Sequence, residues 1–198
     1  ALSERSRRPF SVAHATTFSA LLRAFEEDWA EAERLATLGI DLSTEYGFPR
    51  WRGTALAAHG RALVEQGHGN QGLAEIREGI DELGRAGMRL GNSLLFSLLA
   101  GACLRLKKLD EGLAATDAGL AHCRDTAERL FEAELWRLRG AFVEVGARRG
   151  KHARAGTIPE AEECFDRARA LARAQGAHML GQRVRPGNVG PAVRRASG

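Results

Sequence analysis

Aromatic residues are scarce in this chain of 198 residues, at 6%, with one tyrosine, and proline and methionine number only five and two. Alanine, leucine, arginine and glutamate dominate instead, a mixture that favours helix over strand. Cysteine is limited to Cys103, Cys123 and Cys164, an odd number, widely spaced within apolar helical patterns. That spacing points to buried small apolar residues in a reducing compartment, not to a disulfide framework or a zinc site. No apolar run approaches the roughly 20 residues needed to span a bilayer, and no signal peptide precedes Phe10. A cytoplasmic chain without membrane contact is expected.

Catalytic motifs are missing as well. The six histidines, His14, His59, His68, His122, His152 and His178, show no H-x-x-x-H or H-E-x-x-H spacing, so no metal is expected. No G-x-x-x-x-G-K-[ST] loop, G-x-S-x-G elbow or Cys–His constellation is present, and we expect neither a cofactor nor a catalytic residue. The carboxylates of "FEEDW" and "IPEAEECF" fall near expected helix starts, where the helix dipole favours negative charge. His59 occupies a core-facing slot that suits a hydrogen-bonded packing residue, and His68 lies in a Gly-His-Gly turn.

What is present is charge and periodicity. Charged residues make up 27%, and the net charge is +4 with a pI near 9.4, yet arginines alternate with glutamates in place of one basic block. That pattern argues against a nucleic-acid surface. The stretch "GLAEIREGI" at 72–80 returns forty residues later as "GLAATDAGL" at 112–120. Gly39, Gly79 and Gly119 share the forty-residue step, as do Ala32, Gly72 and Gly112, and Ala20, Gly60, Ala100 and Gly140. A helical hydrophobic period runs between these markers, and each repeat is long enough for two helices. Helices are expected at 10–26, 29–45, 50–66, 69–86, 92–107, 109–124, 128–146 and 159–175. Glycine in a helix interior costs about 1 kcal/mol relative to alanine, a penalty that close helix crossings explain. The expectation is an all-α solenoid of antiparallel helix pairs over 9–180, with a disordered lead-in at 1–8 and a Gly/Pro/Arg-rich disordered tail at 181–198. In the fourth pair the small residues reappear late, at Ala161 and Ala168, after "GARRGKHARAGT" at 146–157. That stretch suits a surface insertion or a basic contact for an acidic partner.

A bulky residue four before each small one (Leu56, Phe96, Trp136), followed by a second helix with small residues seven apart, resembles the tetratricopeptide repeat. The usual period there is about 34, and forty resembles the variant in regulators of the maltose-regulon activator type. "RPFSVAHATTFSALL", "EYGFPRW", "GRALVEQGHGNQGLAEIREGI", "FEAELWRLRG" and "AEECFDRARALARAQGA" are similar to a more specific group. This is the C-terminal repeat region of bacterial proteins that fuse an adenylate/guanylate cyclase or DNA-binding domain to a signal-transduction ATPase.

The resemblance implies an interaction and regulatory module. Its partner would be a protein or peptide, or an upstream ATPase domain of the same parent chain. The start at Ala1 reads like an internal piece of a longer protein. After Leu180 the chain departs from the family, and a neighbouring-frame reading of "GNVGPAVRR" suggests a frameshift near residue 181. The alternatives are a regulatory tail of a cyclase enzyme and a non-functional gene remnant. Carried over residue by residue, the family's concave groove selects His14, Thr17, Arg61, Glu65, Ser97, Arg105, Glu134, Arg137 and Glu144. An array without a polar capping helix is further expected to self-associate or to fray beyond Ala168.

Overall fold

Apolar residues three and four apart, interrupted at short intervals by Gly, Pro and Asx residues, break the chain into helices and turns. The computed structural model describes residues 2–149 and 157–176. Eight α-helices and no strand occur among the described residues: α1 (Leu2–Phe25), α2 (Trp29–Tyr46), α3 (Pro49–Glu65), α4 (Gly69–Arg85), α5 (Asn92–Arg105), α6 (Leu109–Thr126), α7 (Glu132–Arg149) and α8 (Ile158–Ala174). The punctuation is chemical. Asp28 caps α2 by accepting the Glu31 amide, Gly47 ends it in the left-handed region at φ 69°, and Pro49 opens α3 with a pre-set φ. Thr157 and Glu160 form a reciprocal capping box at α8.

Each helix packs against the next in sequence, and the leading helices α1, α3, α5 and α7 also pack side by side. The result is an α-solenoid: a layer of leading helices backed by the trailing helices α2, α4, α6 and α8. One core cluster runs from Leu21 in α1 through Leu73, Ile76, Leu95 and Leu98 to Leu138 and Phe142 in α7. A smaller one joins α8 to α7 through Val143, Ala161, Phe165 and Ala168. The small residues stand where backbones meet. A Cβ on Gly72 would collide with the carbonyl oxygen of Gly60, and one on Gly79 with that of Gly53. Among the described residues no helix is long and apolar enough to cross a membrane.

Three expected boundaries move. Residues 2–8 are not a separate disordered lead-in but the first turns of α1, which carries Pro9 inside it; Leu2, Glu4, Arg5, Arg7 and Arg8 are good helix formers. α7 begins at Glu132 and not at 128, because Ala127 takes a left-handed φ of 57° and the turn that follows is held by the Glu128 carboxylate. α7 then continues to Arg149, so the first four residues of the expected 146–157 insertion are helical. Residues 150–156 of that insertion and the tail at 181–198 lie outside the described residues.

Candidate functional site

The layer of leading helices curls on itself. Phe25, at the end of α1, stacks on Phe131, just before α7, with ring centroids 6.3 Å apart and planes 8° from parallel. Both rings, half-buried, pack on the main core cluster, in which Leu21, Leu94, Leu98 and Leu138 are buried. That stack brings the end of α1 to the start of α7 across the layer.

The candidate groove residues divide accordingly. Arg61, Glu65 and Arg105 come together: one Glu65 oxygen accepts from Arg61 Nη1 at 2.5 Å and the other from Arg105 Nε at 3.0 Å. Arg61 also lies over the Trp29 ring, 5.2 Å from its centroid. One carboxylate between two guanidinium groups leaves the cluster with a net positive charge. Glu134 and Arg137 form a bidentate pair at 2.7 Å for both bonds. Burial of Arg137 works against its charge, but the field and hydrogen bonds of Glu134 outweigh it and hold the guanidinium protonated. Glu144 is paired with Arg148 at 2.5 Å.

Thr17 and Ser97 do not line a surface. Thr17 is fully buried, wedged where α1 meets Gly39 of α2, and buried Ser97 turns its hydroxyl back to donate to the Leu94 carbonyl at 2.7 Å. The repeat register assigned both to the exposed face, but the tight approach of neighbouring helices covers them.

His14 belongs to a different feature, one that the sequence reading passed over. Its ring stacks on Trp51 at 4.5 Å and meets Phe18 edge-on at 4.9 Å. Phe10 meets Phe48 edge-on at 5.3 Å and Trp51 at 5.8 Å, Tyr46 stacks on Phe48, and the Arg50 guanidinium lies 5.4 Å from the Trp51 centroid. Trp51 is buried, and its indole N–H has no hydrogen-bond partner among the described residues. By contrast Phe10 and Phe18 are 44% and 49% exposed, and Tyr46 is exposed too. A chain with 6% aromatics thus gathers an exposed aromatic patch at one edge of its leading-helix layer. The signal was available: Phe10, His14 and Phe18 stand four apart, on one face of α1.

Glu128 was also missed. It is buried, accepts the Gly91 amide at 2.9 Å and the Ser93 hydroxyl, and lies 3.4 Å from His122 Nε2. That nitrogen is 2.7 Å from the Arg89 carbonyl, an acceptor only, so it carries a hydrogen. The carboxylate thereby ties the α4–α5 turn to the α6–α7 turn. His59, as expected, is a packing residue, with Nδ1 2.5 Å from Glu75 Oε2. Cys103, Cys123 and Cys164 are free and buried, and burial pushes all three thiols up, Cys123 to about 11.

The geometry therefore offers stacking surfaces and mutually satisfied ion pairs, which are means of recognition. Compared with known proteins, the chain matches no family model and no curated protein.

Proposed function

We propose that this chain is a non-catalytic, protein-interaction and regulatory module of a cytoplasmic protein, which binds a protein or peptide segment through the exposed aromatic patch around His14. The observation that carries the reading is the half-exposure of Phe10 and Phe18 above a buried Trp51 in so aromatic-poor a chain. Rigid aromatic rings bury much area at little entropic cost, which is why they anchor interfaces. The Arg61–Glu65–Arg105 cluster adds a charged element at the other end of the leading helices, where Glu65 already holds both guanidinium groups in place. A cytoplasmic setting is supported by the three free cysteines. The resemblance to repeat regions of signalling ATPases supports a regulatory role and an ATPase domain as one partner class.

The test is proximity crosslinking in cells with the wild-type chain and with a Phe10→Ser, Phe18→Ser double variant, matched for helical content by circular dichroism. A partner captured by the wild type and lost from the variant is expected. An identical set of captured proteins would overturn the assignment of binding to the aromatic patch.

A further inference from the structure

The two rims of the helix array differ in chemistry. At one, the α1–α2, α3–α4 and α5–α6 turns carry no exposed large apolar side chain among the described residues, and Leu106, in the last of them, packs on the main core cluster. At the other lie the turns that precede α5 and α7, residues 86–91 and 127–131, which present Leu90 and Leu130, one period apart. At 68% and 66% exposure these are the most exposed large apolar side chains among the described residues. Each follows an exposed arginine, Arg89 and Arg129, and the one carboxylate of the two turns, Glu128, is buried. Both tips are braced. The Leu90 carbonyl accepts from Arg50 Nη1 at 2.8 Å, the Arg89 carbonyl from His122 Nε2 at 2.7 Å, and the Arg129 carbonyl from Gln175 Nε2 at 2.5 Å. Glu128 then links one turn to the other through the Gly91 amide and the Ser93 hydroxyl. Moving either turn to bury its leucine would break these bonds, so the exposure is built into the fold.

We infer that the Arg89–Leu90 and Arg129–Leu130 tips form a docking surface for an anionic lipid bilayer. Each leucine leaves water for the boundary between headgroups and acyl chains. The arginine beside it stays at headgroup level, where lipid phosphates supply the negative charge that neither turn exposes. Exposed Arg85 and Arg124, at the ends of α4 and α6, add to the positive charge, and Asp125 offsets one of them. A peptide would meet two separate points, one leucine on each turn, whereas a fluid bilayer surrounds both. Docking of this kind needs no spanning helix, and none occurs among the described residues. None of the four residues belongs to the aromatic patch around His14, and the inference stands whatever that patch binds.

The test is co-sedimentation of the full chain with vesicles of phosphatidylglycerol and phosphatidylcholine in equal parts, and with vesicles of phosphatidylcholine alone, at about 0.15 M salt to screen long-range attraction. Binding to the anionic vesicles is expected, at least about tenfold tighter than to the neutral ones. Leu90→Ser with Leu130→Ser keeps the net charge and should weaken that binding at least about tenfold, and Arg89→Gln with Arg129→Gln should do so by a similar factor. Leu38→Ser removes an exposed leucine of α2, away from the tips, and should change it by less than about twofold. Circular dichroism checks that each variant keeps its helices. No co-sedimentation at roughly 1 mM lipid, or binding that ignores the leucine pair, overturns the inference. Sedimentation of the chain without lipid supplies the remaining arm: self-association abolished by the leucine pair would assign the tips to a protein contact and overturn the lipid reading.

Discussion

Gly72 and Gly112 stand one period apart and both are buried, yet what presses on each is different. At Gly72 it is backbone. A Cβ there would collide with the Gly60 carbonyl oxygen and lie 2.7 Å from Val64 Cγ2, and a Cβ on Gly60 would collide in turn with the Gly72 carbonyl. At Gly112 it is the ring of Phe142. The α3/α4 contact is therefore a fixed approach of two main chains, whereas the α6/α7 contact is a large side chain seated in a small-residue notch. One sequence signal, glycine at a forty-residue step, serves two kinds of packing that should respond differently to the same added methyl group.

The largest effect is expected at the backbone contact. Gly72→Ala should destabilise the chain by about 3 kcal/mol, because no rotamer change relieves a main-chain collision and only a shift of α4 against α3 can. The helix-propensity gain of alanine offsets about 1 kcal/mol of the strain and is already included. Urea denaturation followed by circular dichroism measures the loss. A value below about 1 kcal/mol would mean that the two helices slide apart at little cost, and the contrast would fail.

Gly112→Ala should cost less, about 2 kcal/mol, and it should be rescuable. Phe142→Leu alone leaves a cavity worth about 1–2 kcal/mol. Combined with Gly112→Ala it should cost less than the two single changes together by about 1 kcal/mol, since the smaller side chain makes room for the new methyl. The matching double variant at the other contact, Gly72→Ala with Val64→Ala, should show no such coupling, because the carbonyl of Gly60 remains. Equal coupling energies at both sites would erase the distinction between them.

The sequence made these glycines visible and left their neighbours unseen, for a physical reason. Period and residue size report that two surfaces approach closely, so the helix pairs, their order and their small-residue seams were legible. What fills the gap depends on the rotation between successive pairs, and that rotation is set by packing over the whole interface. Thr17 and Ser97 show the consequence: the register placed them on an open face, whereas Thr17 lies in the seam between α1 and Gly39 of α2 and Ser97 is buried as well. Glu128 illustrates a second limit. In the sequence it reads as the first residue of a helix, whereas in the fold its partners are the amide of Gly91 and the hydroxyl of Ser93, some 35 residues away.

Glu128 also sharpens the comparison, because it ties the turn before α5 to the turn before α7 and so steadies the side-chain-filled contact. Glu128→Gln keeps the shape but weakens the acceptor and introduces an amide donor facing the Gly91 N–H and the Ser93 hydroxyl. A loss of about 1–2 kcal/mol is expected in the denaturation midpoint. Amide hydrogen exchange should rise at Gly91 and along the start of α7, and stay unchanged along α4 beside Gly60 and Gly53. Faster exchange spread evenly over both interfaces would show that the two contacts are not separable units.

The smallest expected effect separates the two contacts by pH. Cys123 packs with Leu120 of its own helix and Leu135 of α7, while α3 and α4 contain no cysteine. Burial first, and then the charges of Glu132 and Glu128, push its thiol up from 9.0 to about 11. A raised folded-state pKa on an acid means that the unfolded chain ionises first. The stability associated with keeping this thiol neutral is complete below pH 9 and is lost as pH rises toward about 11. Raising the pH through that window should therefore lower the denaturation midpoint of the wild type more than that of Cys123→Ala. Hydrogen exchange should place the extra opening at α6 and α7. If α3 and α4 open to the same degree over that window, the loss has another source, and the thiol is not what distinguishes the side-chain-filled contact from the backbone one.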